Sequence, residues 1–194
     1  FEVIQEMLIL PLFFLVGKTI GNMEITRNKI KTGLLSLFGV IAFFSIVLFI
    51  FAEGIVTLMA QNADLIGGTV TYIRYELIGV LFSNMVKFLM VILILREWKR
   101  DIYILLIVQM VFTVLFDTLF ISELSISLGL GVNGIAFTNI IVNIGMLVYM
   151  EIIVFKRYEI NIKEFFNPSS ISPSLKSDFI SATALSTAVI TIFN

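Results

Sequence analysis

Residues Leu34–Met59 read LLSLFGVIAFFSIVLFIFAEGIVTLM, 26 positions in which Glu53 is the one charged side chain. At 1.5 Å per residue this block makes about 39 Å of helix, enough to cross a hydrocarbon core of about 30 Å. It is too long for a strand, and a membrane barrel would show alternation rather than a solid apolar run. The block therefore reads as a transmembrane helix.

The same signature recurs along the chain. Apolar spans run from about Val3 to Ile20, Leu34 to Met59, Gly68 to Leu95, Ile102 to Ser122 and Val132 to Phe155. A polar stretch, 156–178, carries Pro168 and Pro173 in the segment NPSSISP and reads as a cytoplasmic linker. Its Glu159–Phe166 part mixes apolar and charged residues and could lie on the membrane surface as a short helix. From Phe179 the chain is apolar again to the end of the sequence, the start of a further span over 179–194. The expected fold class is all-α, a polytopic helical bundle of five spans plus the start of a sixth. Gly21-Asn22, Gly67-Gly68, Gly129 and Gly131 supply turn chemistry between spans, and Asp101 is placed to cap the fourth helix.

Composition agrees. Of 194 residues, 59% are hydrophobic and 14% charged, against about 25% charged in an average soluble domain. That excludes an ordinary soluble globule and, more firmly, a disordered chain. The net charge of −1 offers no basic field for nucleic acid. Cysteine and histidine are both absent, which removes disulfides, thiol nucleophiles, soft-metal sites and imidazole chemistry. No catalytic acid–base pair is visible, so an enzyme is not expected.

The basic residues set an orientation. The first inter-span segment has Lys18, Arg27, Lys29 and Lys31; the third has Arg96, Lys99 and Arg100; the linker has Lys156, Arg157, Lys163 and Lys176. The second and fourth have none. The segments with bases are expected to be cytoplasmic, with Phe1 on the outer side. An outward start at Phe and a short last span are expected of a piece of a longer protein.

Charges inside spans are costly, at roughly 2.5–3.5 kcal/mol each, and they face partners or cavities. Glu53 and Glu151 lie near helix ends and read as solvated boundary residues. On the third span, Glu76, Ser83 and Lys87 fall within about 40° on a helical wheel, with Asn84 beside them. That stripe faces protein or water; it is either interhelical glue, with Lys87 snorkelling, or a cavity lining. Arg74 nearby can neutralise a carboxylate. On the fourth span, Gln109, Thr113 and Asp117 form a second stripe. Asp117 is roughly 8 Å from the outer helix end, too deep for free solvation. Its carboxylate can hold a hard cation together with hydroxyl and carbonyl oxygens, can take up a proton, or can serve as a structural cap. On the fifth span Asn139 and Asn143 are four apart and stacked, as residues that hydrogen-bond helices together are. Gly129–Gly134 matches G-x-G-x-x-G, but it opens a membrane helix with no preceding strand. It reads as a tight loop and close helix packing, not a dinucleotide site. The aromatic residues, Phe above all, read as lipid-facing and packing material, with Trp98 and Tyr103 as interface anchors.

Four stretches, in order, resemble the multidrug and toxic compound extrusion (MATE) family of secondary transporters. They are PLFFLVGKTIGN at 11–22, Tyr72-Ile73-Arg74 followed by Gly79-Val80-Leu81-Phe82, VLFDTLFI at 114–121, and LGVNGIAFT at 130–138. The resemblance implies two six-helix lobes related by an axis along the membrane normal. This chain would supply spans two to six of the N-terminal lobe, the inter-lobe linker and the start of the seventh span. It further implies ion-coupled export of organic cations by alternating access in a plasma membrane, with Na+ or H+ as coupling ion and no other cofactor. By the same resemblance Asp117 takes the place of an ion-binding Asp. Thr113 stands where the family has an Asn, Thr138 matches a site Thr, and Asn84 matches a site Asn. Glu76, Ser83, Lys87, Gln109, Asn139 and Asn143 would line the cavity. Expected partners are the bilayer, a small organic, cationic substrate, and the remainder of the transporter. The competing readings are a lipid-linked oligosaccharide flippase of the same superfamily, which should want more buried bases than Arg74 and Lys87, and a non-transporting membrane scaffold.

Overall fold

The structure, a computed structural model, describes residues 2–59 and 62–160; at residues 2–8 and 10 it describes the backbone alone. Among these residues there are five helices, α1 (Glu2–Gly17), α2 (Met23–Leu58), α3 (Ala63–Leu95), α4 (Lys99–Phe120) and α5 (Val132–Arg157). Four of them, α2 to α5, are long and apolar enough to cross a membrane. The all-helical class and the membrane-protein reading agree with the sequence. The start of a further span at 179–194, and the linker beyond residue 160, fall outside the described residues.

Element boundaries differ from the expected spans for local reasons. α1 ends at Gly17, not Ile20, because the chain tightens there. Thr19 N donates to the Val16 carbonyl at 3.0 Å and the Thr19 hydroxyl donates to the same oxygen at 2.9 Å. At 16 residues α1 is about 24 Å long, shorter than a full span. α2 begins eleven residues before its apolar block, at Met23. Asn22 is the cap: its Oδ1 accepts from Ile25 N at 3.2 Å, and Glu24 in the first turn suits the positive end of the helix dipole. The basic segment Arg27–Lys31 is thus helical, not loop, and Lys31 is buried.

Gly67 and Gly68, expected to break the chain, lie inside α3. Each glycine costs a helix about 1 kcal/mol, which a helix of 33 residues absorbs. Asp101 is not the cap of α4 either; the helix starts at Lys99, and Asp101 stands in its first turn. Its carboxylate pairs with Arg157 at 2.7 Å, and the Arg157 guanidinium lies 4.1 Å from the Trp98 ring centroid. Arg96 Nε donates to Tyr158 Oη at 2.5 Å. Trp98, expected as an interface anchor, also has the Tyr158 ring 6.1 Å away between centroids and so takes part in packing.

The packing resolves into two units. The first contains 2–38, 87–102 and 149–160 of the described residues, and its buried side chains include Val16, Ile30, Leu34, Phe88, Ile92, Met150 and Tyr158. The second contains 39–86 and 103–148. It buries Leu77, Phe120, Ala136 and Val142, and a cluster of Ala52, Val56 and Val70 flanked by Ile66 and Ile73. Every Lys and Arg among the described residues belongs to the first unit except Arg74. The second unit sets Glu53, Asp64, Glu76, Asp117 and Glu123 against that single base.

Candidate functional site

In the second unit, α5 bonds the Glu76 carboxylate and packs on the end of α4 that carries Asp117. Near its start, the loop after α4 folds back: Leu128 N donates to the Leu119 carbonyl and Leu130 N to the Phe120 carbonyl, both at 2.8 Å. This satisfies two carbonyls at the end of α4 that the helix itself leaves open. Gly129 and Gly131 hold φ of 61° and 57°, a left-handed conformation that side chains disfavour. Three residues on, Gly134 packs on α4; a Cβ there would lie 2.9 Å from Ile121 Cγ1 and 3.1 Å from the Phe120 carbonyl oxygen. The glycine-rich motif is thus a loop and a close helix contact, as its setting in the sequence indicates.

This contact fixes the level of Asp117 and Thr138. α4 and α5 are consecutive helices joined by the short loop, so they run antiparallel. Asp117 stands about 4.5 Å back along α4 from Phe120, and Thr138 about 6 Å along α5 from Gly134. The two therefore share a level. At 100° per residue Asp117 falls between Phe120 and Ile121, the residues that touch Gly134, and Thr138 falls about 40° from Gly134. Thr138 is 2% exposed and its hydroxyl has no hydrogen-bond partner. Asp117 is half-buried and no base pairs with it among the described residues.

Adjacent to Thr138, Asn139 faces α3. Its Nδ2 donates to both carboxylate oxygens of Glu76, at 3.1 and 3.2 Å. Gly79 lies at the same seam, where a Cβ would stand 3.4 Å from the Asn139 Cβ, an ordinary packing distance. Tyr75 and Phe137 close the same helix seam with ring centroids 4.9 Å apart, and Phe120 packs edge-on to Phe137 at 6.4 Å. The lone base Arg74 lies over the Phe49 ring at 5.0 Å, and its Nε is buried without a partner.

Of the expected site residues, Glu76 and Asn139 are joined directly, and Asp117 and Thr138 are brought level. The other expected ligands are not joined to them by hydrogen bonds. Thr113 is half-buried one turn from Asp117 on the same helix. Asn84 is buried, its Nδ2 bonded at 2.7 Å to the Val80 carbonyl of its own helix and its Oδ1 without a partner. Asn143 likewise bonds back to the Asn139 carbonyl at 2.7 Å rather than to another helix. Ser83 and Gln109 are half-buried, while Lys87 is exposed and belongs to the first unit. Sequence reasoning has Gly79 only within a family-like stretch and not as a helix contact, for which its signal is a small residue one turn from Glu76. It also missed an apolar groove along α4, lined by Met110, Val111, Val114, Leu115, Thr118, Leu119 and Ile126.

Chemically, the region offers two carboxylates, a hydroxyl oxygen and an amide oxygen, with one base turned to a ring. Oxygen acceptors that lack donors suit a hard cation. Compared with known proteins, the chain matches no protein-family model, no curated protein and no solved structure.

Proposed function

We propose that this chain is one lobe of a cation-coupled efflux antiporter of the MATE type, exporting small organic cations from a cell across its plasma membrane. The observation that carries the reading is the position of Asp117. It is a carboxylate inside a spanning helix, without a base, level with the unpartnered hydroxyl of buried Thr138. A lone carboxylate in hydrocarbon needs a counter-charge, and a travelling Na+ or H+ supplies one. Thr138 contributes a neutral ligand, and Thr113 and the Asn84 amide oxygen are further oxygens that a change in helix packing would recruit. Ion binding then favours one packing of the bundle and substrate binding the other, which is alternating access by population shift.

The test is Asp117→Asn in the intact protein reconstituted in liposomes, with efflux of a fluorescent organic cation driven by an imposed Na+ or H+ gradient. Loss of gradient-driven efflux, with the protein still inserted, is the expected result. Undiminished efflux removes Asp117 from the mechanism and this reading with it.

A further inference from the structure

We propose that Glu76 is a second cation-binding carboxylate, a site for a hard cation such as Na+, linked to Asp117 through the adjacent residues Thr138 and Asn139. The proposal rests on the transport reading for the class of ligand and on the geometry for the place.

Three observations carry it. First, the only direct partner of the Glu76 carboxylate among the described residues is a neutral amide: one Asn139 nitrogen spans both oxygens, at 3.1 and 3.2 Å. A single nitrogen shared between two oxygens leaves about half of their roughly four lone-pair sites open, and it neutralises no charge. Secondly, the one base of this unit does not serve as counter-ion. The Arg74 guanidinium is held over Phe49 at 5.0 Å, and no ion pair joins it to Glu76. Thirdly, the residue before Asn139 is Thr138, 2% exposed, with a hydroxyl oxygen that has no partner.

Consecutive residues of one helix thus relate to the two carboxylates, one by level and one by a bond. Asp117 on α4 shares the level of Thr138, and Glu76 on α3 is bonded to Asn139. A cation seated at Glu76 displaces or shares the Asn139 amide, and any rotation of α5 that follows moves Thr138 relative to Asp117. Each site biases the same rigid element, which is what coupling between two sites requires. Negative charge at one carboxylate also raises the affinity of the other for a cation.

A purely structural role predicts something different. If the pair only fastens α3 to α5, glutamine at position 76 keeps an oxygen acceptor for Asn139, and ion binding does not change. The experiment is equilibrium binding of radioactive sodium to the intact purified protein in detergent, for the wild type, Glu76→Gln, Glu76→Asp and Asp117→Asn. Glu76→Gln is expected to bind one sodium ion fewer than wild type, and Glu76→Asp to keep the full stoichiometry. Asp117→Asn is expected to weaken the ion that remains. Helix content by circular dichroism and a single gel-filtration peak check that each variant is folded. Equal sodium stoichiometry and affinity in folded Glu76→Gln and wild type overturn the proposal. Should Glu76→Gln misfold, Glu76→Asp and Asn139→Gln carry the test, and unchanged sodium affinity in both overturns it as well. If Asp117→Asn transports normally while Glu76→Gln loses an ion, the Asp117 mechanism fails and this site stands. If Asp117→Asn stops transport while Glu76→Gln binds sodium normally, this site fails and the transport reading stands.

Discussion

The ring of Phe88 meets α2 at Gly33, with Phe88 Cζ 2.6 Å from where a Cβ on Gly33 would lie. Phe88 is fully buried, so the ring has little room to swing. α2 and α3 approach each other there only because position 33 carries no side chain, a common device in membrane bundles.

Gly33→Ala is therefore expected to destabilise the protein. Alanine gains about 1 kcal/mol of helix propensity, while overpacking a filled contact costs about 1–3 kcal/mol, so the loss prevails. Denaturant unfolding in mixed micelles reads the difference. Gly33→Ala combined with Phe88→Leu should recover much of it, because the double change removes the clashing atom. Stability equal to or above wild type in the single variant refutes the contact.

A matched pair on α5 separates packing from propensity. Gly134 has the Phe120 carbonyl oxygen 3.1 Å from its would-be Cβ, and backbone cannot yield as a flexible side chain does. Gly145 has nothing within 4 Å. Alanine at 134 should lower stability by about 1–3 kcal/mol, and alanine at 145 should leave it unchanged or raise it by up to about 1 kcal/mol. The same sign at both sites would mean that α5 does not seat on α4 through Gly134.

Two helices end on a glutamate in the left-handed region. After α3, Glu97 has φ 53°, with Trp98 N bonded to the Leu93 carbonyl and Glu97 N to the Ile94 carbonyl, both at 3.0 Å. After α5, Glu159 has φ 54°, with Ile160 N bonded to the Phe155 carbonyl at 2.9 Å. The first bond set is a Schellman cap, and the second shares its six-to-one bond; glycine normally occupies that position. Replacing either glutamate by glycine should raise stability by about 1 kcal/mol, since the strain of a left-handed residue with a Cβ is released. Thermal unfolding of Glu97→Gly and Glu159→Gly checks this; a lower midpoint in both would rule it out.

How much of this was readable in the residues follows from what each feature depends on. The long apolar blocks that became α2 to α5 depend on the chain's own composition, and they were plain in the sequence. Helix starts were less so. The apolar run begins only at Leu34, whereas Asn22 caps a helix from Met23 whose first turns are polar. Gly67-Gly68 looked like a break because propensity is local, while the length of α3 is not. The polar residues themselves were all singled out by their cost in hydrocarbon. Their pairing was not legible, because it depends on which helices touch. Glu76 meets Asn139 across 63 positions of sequence, beside Gly79, and neither wheel alone shows the other.

The Glu76–Asn139 contact also yields a prediction about stability that is independent of ion binding. Asn139→Leu removes the only direct donor, among the described residues, to a half-buried carboxylate and should cost about 1–3 kcal/mol, more than a typical exposed hydrogen bond. Glu76→Leu alone leaves the Asn139 amide without its acceptor and should cost somewhat less, because an amide is cheaper to strand than a charge. Changing both to leucine leaves no polar group to satisfy, so the double variant should be more stable than Asn139→Leu alone and close to wild type. A double-mutant cycle by unfolding in mixed micelles gives the coupling. Strictly additive losses would mean that the two side chains do not meet in the folded protein, and the seam between α3 and α5 would have to be drawn elsewhere.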